Sequence, residues 1–491
     1  MRELLRAVAK TVGGSLAALL MGMAVVKIIA HFIGTEGVGF FSLLRQTQQL
    51  AVALAMVNGQ AALVQGIASQ EGEARARYIS VVFWVVLVLA AIVLLVFTLA
   101  PGQISHWLFG RAVGGAAAAF RLIGISVVCG VAFTFANGVL IGHGMVGRAS
   151  LVQFANYSVV AMLAYPLLAM GRGVTPADYG WLLVSGTAAA ALFSTVMVWR
   201  ARIVRIHAPE WNPESAAAAR HFFTFSSGMM VAGVVGVAVP LAVRALVVRG
   251  FGLGGAGVFD AAWTLSMSYV LIVLTSFSSY YLPALSAVRD PLVRAEIIGR
   301  VFRLAIILMV PLVTSVIVFK PLVVSLLYSS AFTPSLVIMR WMLIGDYFKV
   351  MSWVFSFTML AYADIKTFMA TETIWGGLTL AGAFVSVRFL HSLEMLGVIF
   401  LLLYAAYFVV MLRYVIRRHG IRFERQSILQ PLAGFVVIAA SSAITWNDTM
   451  VRWPVAVVCV AAAGVASWLF LSGHERASVR AWIAFGRPAQ L

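Results

Sequence analysis

The 491-residue chain is 62% hydrophobic and only 11% charged, a composition that excludes a soluble globular protein. Its formal net charge of +18 would point to nucleic acid in a soluble protein. In a membrane protein an excess of Lys and Arg on the cytoplasmic loops accounts for it, and no nucleic-acid partner is expected.

The basic start (Arg2, Arg6, Lys10) feeds a full-length apolar stretch without a convincing cleavage site, so no secretory signal is expected. A membrane-crossing helix needs about 20 apolar residues. On that measure fourteen candidate spans follow one another, near residues 12–33, 40–68, 78–100, 117–142, 150–170, 179–199, 222–249, 256–285, 299–319, 335–361, 367–387, 394–412, 429–446 and 453–472. The gaps are short. The longest, about 200–221, carries Pro209 and Pro213, which disfavour a continuous helix, and it reads as a linker. Cys129 and Cys459 both sit inside apolar runs, so no disulfide framework is expected.

The first two spans meet at Ile33-Gly34-x-x-Gly37-x-Gly39-x-Phe41, and the same spacing returns as Phe251-Gly252-x-x-Gly255-x-Gly257-x-Phe259. Glycines at this spacing permit a tight turn and close backbone approach. Further echoes follow: Pro101 and Ser105 in Pro321 and Ser325, and Arg121 in Arg340. Each repeat holds six spans, an even number, so both halves cross the membrane in the same sense. Parallel repeats of this kind place a substrate site where the halves meet. The expected fold class is an all-α integral membrane protein of about 14 transmembrane helices: two parallel six-helix repeats around a central cavity, plus two C-terminal helices. The corresponding divisions are 1–205 for the first bundle, 206–221 for a cytoplasmic linker, 222–418 for the second bundle, and 419–491 for the two extra helices and a tail.

Basic residues test this map. Segments assigned to the cytoplasm hold most of the Lys and Arg, whereas the opposite side has only Arg111, Arg172, Arg249, Lys320, Arg388 and Arg452. The bias predicts cytoplasmic termini.

The architecture, the turn Ile33–Phe41 followed by Leu43-Leu44-Arg45-Gln46, and the segment Asn137-Gly138-Val139-Leu140-Ile141-Gly142-His143-Gly144 resemble polysaccharide flippases of the Wzx type. These belong to the multidrug/oligosaccharidyl-lipid/polysaccharide exporter superfamily. Phe357–Asp364, leading to Thr371-Glu372, is similar to the family's matching stretch. The resemblance implies translocation of an undecaprenyl-pyrophosphate-linked oligosaccharide from the inner to the outer leaflet of the bacterial cytoplasmic membrane, by alternating access. It also implies a cavity lined largely by the first two helices of each half. Membrane lipids, the polysaccharide polymerase and the chain-length machinery are the expected partners.

An ionisable side chain within a span tends to face a cavity or a partner. Lys27, Arg45 and Arg244 are therefore the candidate cationic substrate-binding residues. A pyrophosphate crossing a low-dielectric region needs such charges, and arginine can grip two oxygens at once. Lys27 and Arg45 also sit within snorkelling reach of a span end, so an anchoring role stays open. Gln49 and Gln60 share the face of Arg45, with Asn58 and Gln65 as further amides of that span, while Asp260 leads a stripe of Thr264, Ser268, Thr275 and Ser279 and is a candidate salt-bridge partner at a gate. Asp346 and Lys349, three apart, read as a mutually neutralising pair or an ion-coupling site, and Glu372 is a further coupling candidate or a helix-start carboxylate. Glu36 and Glu394 fall in or near turns and read as solvated.

No metal-ligand cluster, cofactor motif or phosphate-cradling loop is present, so neither an enzyme nor a bound cofactor is expected. The alternatives are a lipid II flippase of the same superfamily, a cation-coupled multidrug antiporter and a membrane glycan polymerase or ligase. The antiporter usually wants a carboxylate deep in the first half, where this chain has Lys27. The polymerase needs a substantial external loop, and the gaps here are short.

Overall fold

The structure, a computed structural model, describes residues 21–111, 113–169, 174–204, 206–208, 212–288, 290–420, 425–447, 449–471 and 476. Arg2, Arg6, Lys10, the start of the first expected span, Arg172, Pro209 and most of the C-terminal tail lie outside the described residues, as do the side chains of Thr275 and Ser279. The described chain is helical and contains no strand. Within hydrocarbon a chain must satisfy its backbone polar groups internally, and the helix does so segment by segment.

The order is α1 (Met21–Phe32), α2 (Gly34–Ala55), α3 (Gln60–Ser69), α4 (Gly72–Leu99), α5 (Pro101–Phe109), α6 (Ala116–Gly142), α7 (Val146–Ala169) and α8 (Pro176–Ala201). There follow α9 (Pro213–Ala287), α10 (Pro291–Leu327), α11 (Ser335–Ala361), α12 (Ile365–Val385), α13 (Leu393–His419), α14 (Arg425–Ile444) and α15 (Trp453–Phe470). Among the described residues the expected spans fall on these helices, the first from Met21 on and the second divided between α2 and α3. Nine stretches among the described residues are long and apolar enough to cross a membrane, and Met21–Phe32 and Leu429–Ile444 are shorter apolar helices. The protein is an all-α, multi-pass membrane protein.

Local chemistry sets several boundaries. α8 opens with a capping box: the backbone N–H of Thr175 donates to Asp178 at 2.7 Å, with Pro176 in the first turn. α12 opens at Asp364, which accepts from the Thr367 N–H and from the Tyr414 hydroxyl; these bonds, Thr367 first, hold its carboxyl below the usual carboxylate range.

The helices pack as two units. The first comprises Met1–Asp260, Leu327–Ser329 and Glu372–Leu380. Its hub is α6, which lies between α8 and α4 and also touches α2 and α3. The second comprises Ala261–Leu326, Ser330–Thr371 and Ala381–Leu491. There α11 packs along α13 and meets α14, and the Tyr347 hydroxyl donates to the Pro431 carbonyl at 3.0 Å.

The two glycine motifs divide their labour. Gly34 and Gly252, equivalent in the repeat, have φ of +74° and +73°, and no atom stands within 4 Å of the place a Cβ would take at either. Their requirement is torsional. Gly39 and Gly257, also equivalent, have ordinary φ and no space. A Cβ on Gly39 would overlap the Leu253 carbonyl oxygen and approach Gly257 N to 2.9 Å; one on Gly257 would overlap the Thr35 carbonyl oxygen and approach Gly39 N to 3.1 Å. Thr35 and Leu253 hold equivalent places too, so the two motifs meet in a reciprocal backbone contact inside the first unit.

Three features depart from the sequence reading. The second span, expected to run unbroken over 40–68, is interrupted between α2 and α3, where Val57 and Asn58 take positive φ (52° and 48°). The short helix α5 fills part of what reads as a loop. Lys320, assigned to an external loop, is buried inside a longer α10 and donates to the Thr445 carbonyl at 3.3 Å.

The glycine contact makes a direct prediction. Gly39→Ala and Gly257→Ala should each lower stability by about 1–3 kcal/mol, the usual cost of overpacking, and so lower the melting temperature of the detergent-purified protein. Gly102→Ala, where φ is ordinary and the space is open, should not lower it. An unchanged melting temperature for Gly39→Ala would contradict the contact.

Candidate functional site

A cavity of about 350 Å³ lies wholly within the first unit. Its polar wall is built by the interrupted second span: Arg45, Gln48 and Gln49 from α2, Asn58 from the break and Gln60 from α3. The interruption explains the grouping. Leaving the helix at Met56 and re-entering at Gln60 turns Asn58 toward the same space as Arg45, and irregular backbone at membrane depth is tolerated where it lines such a space. The break is itself held from outside. A Cβ on Gly59 would press on Phe222 at 2.5 Å, and the Asn58 amide lies directly against Gly233. Thr134 of α6 and Thr187 of α8 add hydroxyls to the wall, and behind it Gln48 donates to the buried Ser126, which shares a 3.1 Å hydrogen bond with Thr187.

Arg45 is the cation of this cavity. Its side chain is half-buried, and its Nε is fully covered with no hydrogen-bond partner among the described residues. A covered guanidinium N–H without an acceptor is costly. The rest of the side chain is what brings Arg45 into the cavity lining.

The other predicted cations sit elsewhere. Lys27 is half-buried on α1, whose Gly22 and Val25 line the cavity. Two residues on from Val25 is about 200° around a helix, and Lys27 is not part of the lining. Arg244 is 2% exposed and bound to Asp260, itself 1% exposed: Nε and Nη2 donate to Asp260 Oδ1 at 2.8 and 2.5 Å, and Nη1 donates to the Pro240 carbonyl at 3.2 Å. The pair joins the two limbs of α9 across the Gly252 kink. Tyr328, in the connection after α10, is within electrostatic reach of both Asp260 and Arg45. Burial and then Asp260 push its hydroxyl well above the usual phenol range, against the pull of Arg45.

In the second unit Asp346 is fully buried, with Ser266 donating to Oδ1 at 2.8 Å and Tyr269 to Oδ2 at 2.7 Å. Lys349 is 2% exposed; its ammonium lies 2.9 Å from the Met267 sulfur and 5.3–5.7 Å from the ring centres of Tyr404, Phe400 and Trp353. Ser268 donates to the Thr264 carbonyl at 2.6 Å, an intrahelical bond that accounts for this part of the stripe without a ligand. Glu372 is half-buried on α12. Glu394, expected to be solvated, accepts from Trp341 Nε1 at 2.8 Å.

Sequence reasoning missed Ser266 and Tyr269 because the stripe was drawn through Thr264 and Ser268. Ser266 is two residues from each and so faces the other way. Ser126 and Thr187 were missed for a simpler reason: single hydroxyls in apolar spans usually bond their own backbone. Among the described residues, no three His, Cys, Asp or Glu side chains are placed to hold a metal ion.

Residues 52–337 match the family model described as "Polysaccharide biosynthesis protein". The chain is 24% identical over 374 residues to the lipid III flippases of Escherichia coli (strain K12) and Shigella flexneri, covering 74% of this chain and 86% of each relative. Its fold is that of the lipid II flippase MurJ in an inward closed conformation (TM-score 0.66, 12% identity, 98% and 100% of the two chains covered). It is equally that of an inward-facing multidrug resistance MATE family transporter of the MOP superfamily (TM-score 0.63, 16% identity, 88% and 96% covered).

The buried ion pair is testable without any assay of transport. Asp260→Asn strands a buried guanidinium and should cost about 3–5 kcal/mol, whereas replacing both partners with apolar residues, Arg244→Met with Asp260→Leu, should cost much less. Thermal unfolding of the two variants checks the order; a double variant no more stable than the single one would contradict the pairing.

Proposed function

Since this chain belongs to the polysaccharide biosynthesis protein family, we propose that it is a flippase for an undecaprenyl-pyrophosphate-linked oligosaccharide. The reading takes the substrate from the inner to the outer leaflet of the bacterial cytoplasmic membrane, for surface polysaccharide synthesis. The observation that carries it is Arg45, the cation among the described residues that line a cavity whose remaining wall is apolar side chains, neutral amides and threonine hydroxyls.

The chemistry follows from the charge of the linkage. A pyrophosphate leaving one headgroup layer loses its hydration, and an unpaired charge in low dielectric is strongly disfavoured. Arg45 offsets that loss with a planar fork suited to phosphate oxygens. Gln48, Gln49, Asn58 and Gln60 supply amide donors for phosphate or for sugar hydroxyls without adding charge that would trap the product. A volume of about 350 Å³ is at the lower end for small-ligand sites, about 300–1,000 Å³, so it suits the charged linkage and its first sugar. The polyprenyl tail has no reason to leave lipid.

In this reading Lys27 and Arg244 serve as auxiliary cations reached in other states of the cycle, with Asp260 releasing Arg244 as a gate opens. Asp346, Lys349 and Glu372 are the groups through which an ion gradient would act. The division into bundles over 1–205 and 222–418, with both termini cytoplasmic, belongs to the same proposal, as does cooperation with the polymerase and chain-length machinery.

Deleting the protein should trap complete lipid-linked oligosaccharide on the cytoplasmic face, scored by membrane-impermeant labelling and mass spectrometry. Wild-type protein should relieve the block. Arg45→Gln should relieve it about ten- to a hundredfold less well at equal membrane level, the equivalent of one charge-assisted hydrogen bond of about 1.5–3 kcal/mol. Full complementation by Arg45→Gln would remove Arg45 from the mechanism, and normal glycan export without the protein would remove the function.

A further inference from the structure

A second cleft, of about 880 Å³, opens in the first unit at the end that carries the glycine turns, and the mechanism above makes no use of it. Gln103, His106 and Trp107 from α5 line it together with Arg111, Arg249 and the kink glycine Gly252. The site is built, in two respects. Arg249 crosses from α9 and its Nη2 donates to the Trp107 carbonyl, which fixes the guanidinium over α5. Gly110 makes the crossing feasible: its φ is +68°, and a Cβ there would stand 3.1 Å from Arg249 Cγ. The Trp107 ring is left 56% exposed at the rim.

We propose that this cleft binds a glycosyl phosphate. Two arginines provide the charge and the fork that a phosphate takes. Gln103 and His106 are donors of the length that reaches sugar hydroxyls. An exposed tryptophan gives an apolar face for the C–H side of a pyranose ring and a polar edge for its hydroxyls. Among the described residues no carboxylate lines the cleft to repel the phosphate. As the source of the ligand, the inference rests on the flippase reading: the phosphate-proximal sugar of the translocated glycan would pause here after leaving the Arg45 cavity. The binding chemistry stands on the cleft alone.

The test is calorimetric titration of the full-length protein in nanodiscs of uncharged lipid. The probes are N-acetylglucosamine 1-phosphate, free N-acetylglucosamine, inorganic phosphate and glycerol 3-phosphate. The sugar phosphate should bind at least about tenfold more tightly than the other three, since charge-assisted and ring contacts act together only there. Trp107→Leu should abolish that advantage and Trp107→Phe should keep most of it, a rescue that a merely structural role would not produce. Arg111→Gln should weaken every phosphate probe about tenfold. Glycerol 3-phosphate binding as tightly as the sugar phosphate would make the cleft a phospholipid headgroup site and overturn the proposal. Binding lost in Arg45→Gln but intact in Trp107→Leu would place the probe in the other cavity, with the same consequence. If glycan export proves independent of this protein while the Trp107 and Arg111 effects hold, the flippase reading fails and the binding site survives.

Discussion

Gly39 and Gly257 bring two stretches of backbone so close that only hydrogen fits on either α-carbon. Within the first unit that contact sets α2 against α9, with Gly34 and Gly252 beside it at positive φ. Small residues allow this kind of approach in a membrane, where van der Waals packing replaces the hydrophobic drive between helices. The reciprocity of the contact, with the Thr35 and Leu253 carbonyls in matching roles, makes the internal repeat a physical relation as well as a pattern of letters.

Charge is the second constraint. Arg244 and Asp260 each occupy a position that would be prohibitive alone, and together they offset the loss of water with three hydrogen bonds. Asp346 is treated in the same way by Ser266 and Tyr269. Arg45 differs, because it lines a cavity and its covered Nε has no acceptor among the described residues. A fold that satisfies Arg244 so fully and leaves Arg45 wanting has separated a structural cation from one available to a ligand.

Much of the fold was legible in the sequence because bilayer thickness fixes helix length and hydropathy marks each crossing. The glycine spacing identified both the repeat and the turn, and the φ values at Gly34 and Gly252 bear that reading out. The break at Val57 and Asn58 was not legible. Its neighbours, Phe222 and Gly233, lie far along the chain, and no local pattern joins them to Asn58. Lys320 was misplaced because the span was ended at the basic residue, whereas the carbonyl of Thr445 lets the helix continue past it. Of the site, the polar face around Arg45 could be read from amide content. The pairing of Arg244 was suggested only by the presence of Asp260 sixteen residues on. The partners of Asp346 lay on the face of the eighth span that periodicity had set aside.

Purified protein and lipid alone provide the most direct test of the account. Proteoliposomes would carry an undecaprenyl-pyrophosphate oligosaccharide with a fluorescent sugar, and an impermeant reductant added outside would report what reaches the outer leaflet. The account predicts that fluorescence continues to fall after the initially accessible fraction is consumed, at a rate proportional to the protein incorporated. Loss that stops at the initially exposed fraction, as in protein-free vesicles, with an imposed ion gradient making no difference, would contradict it.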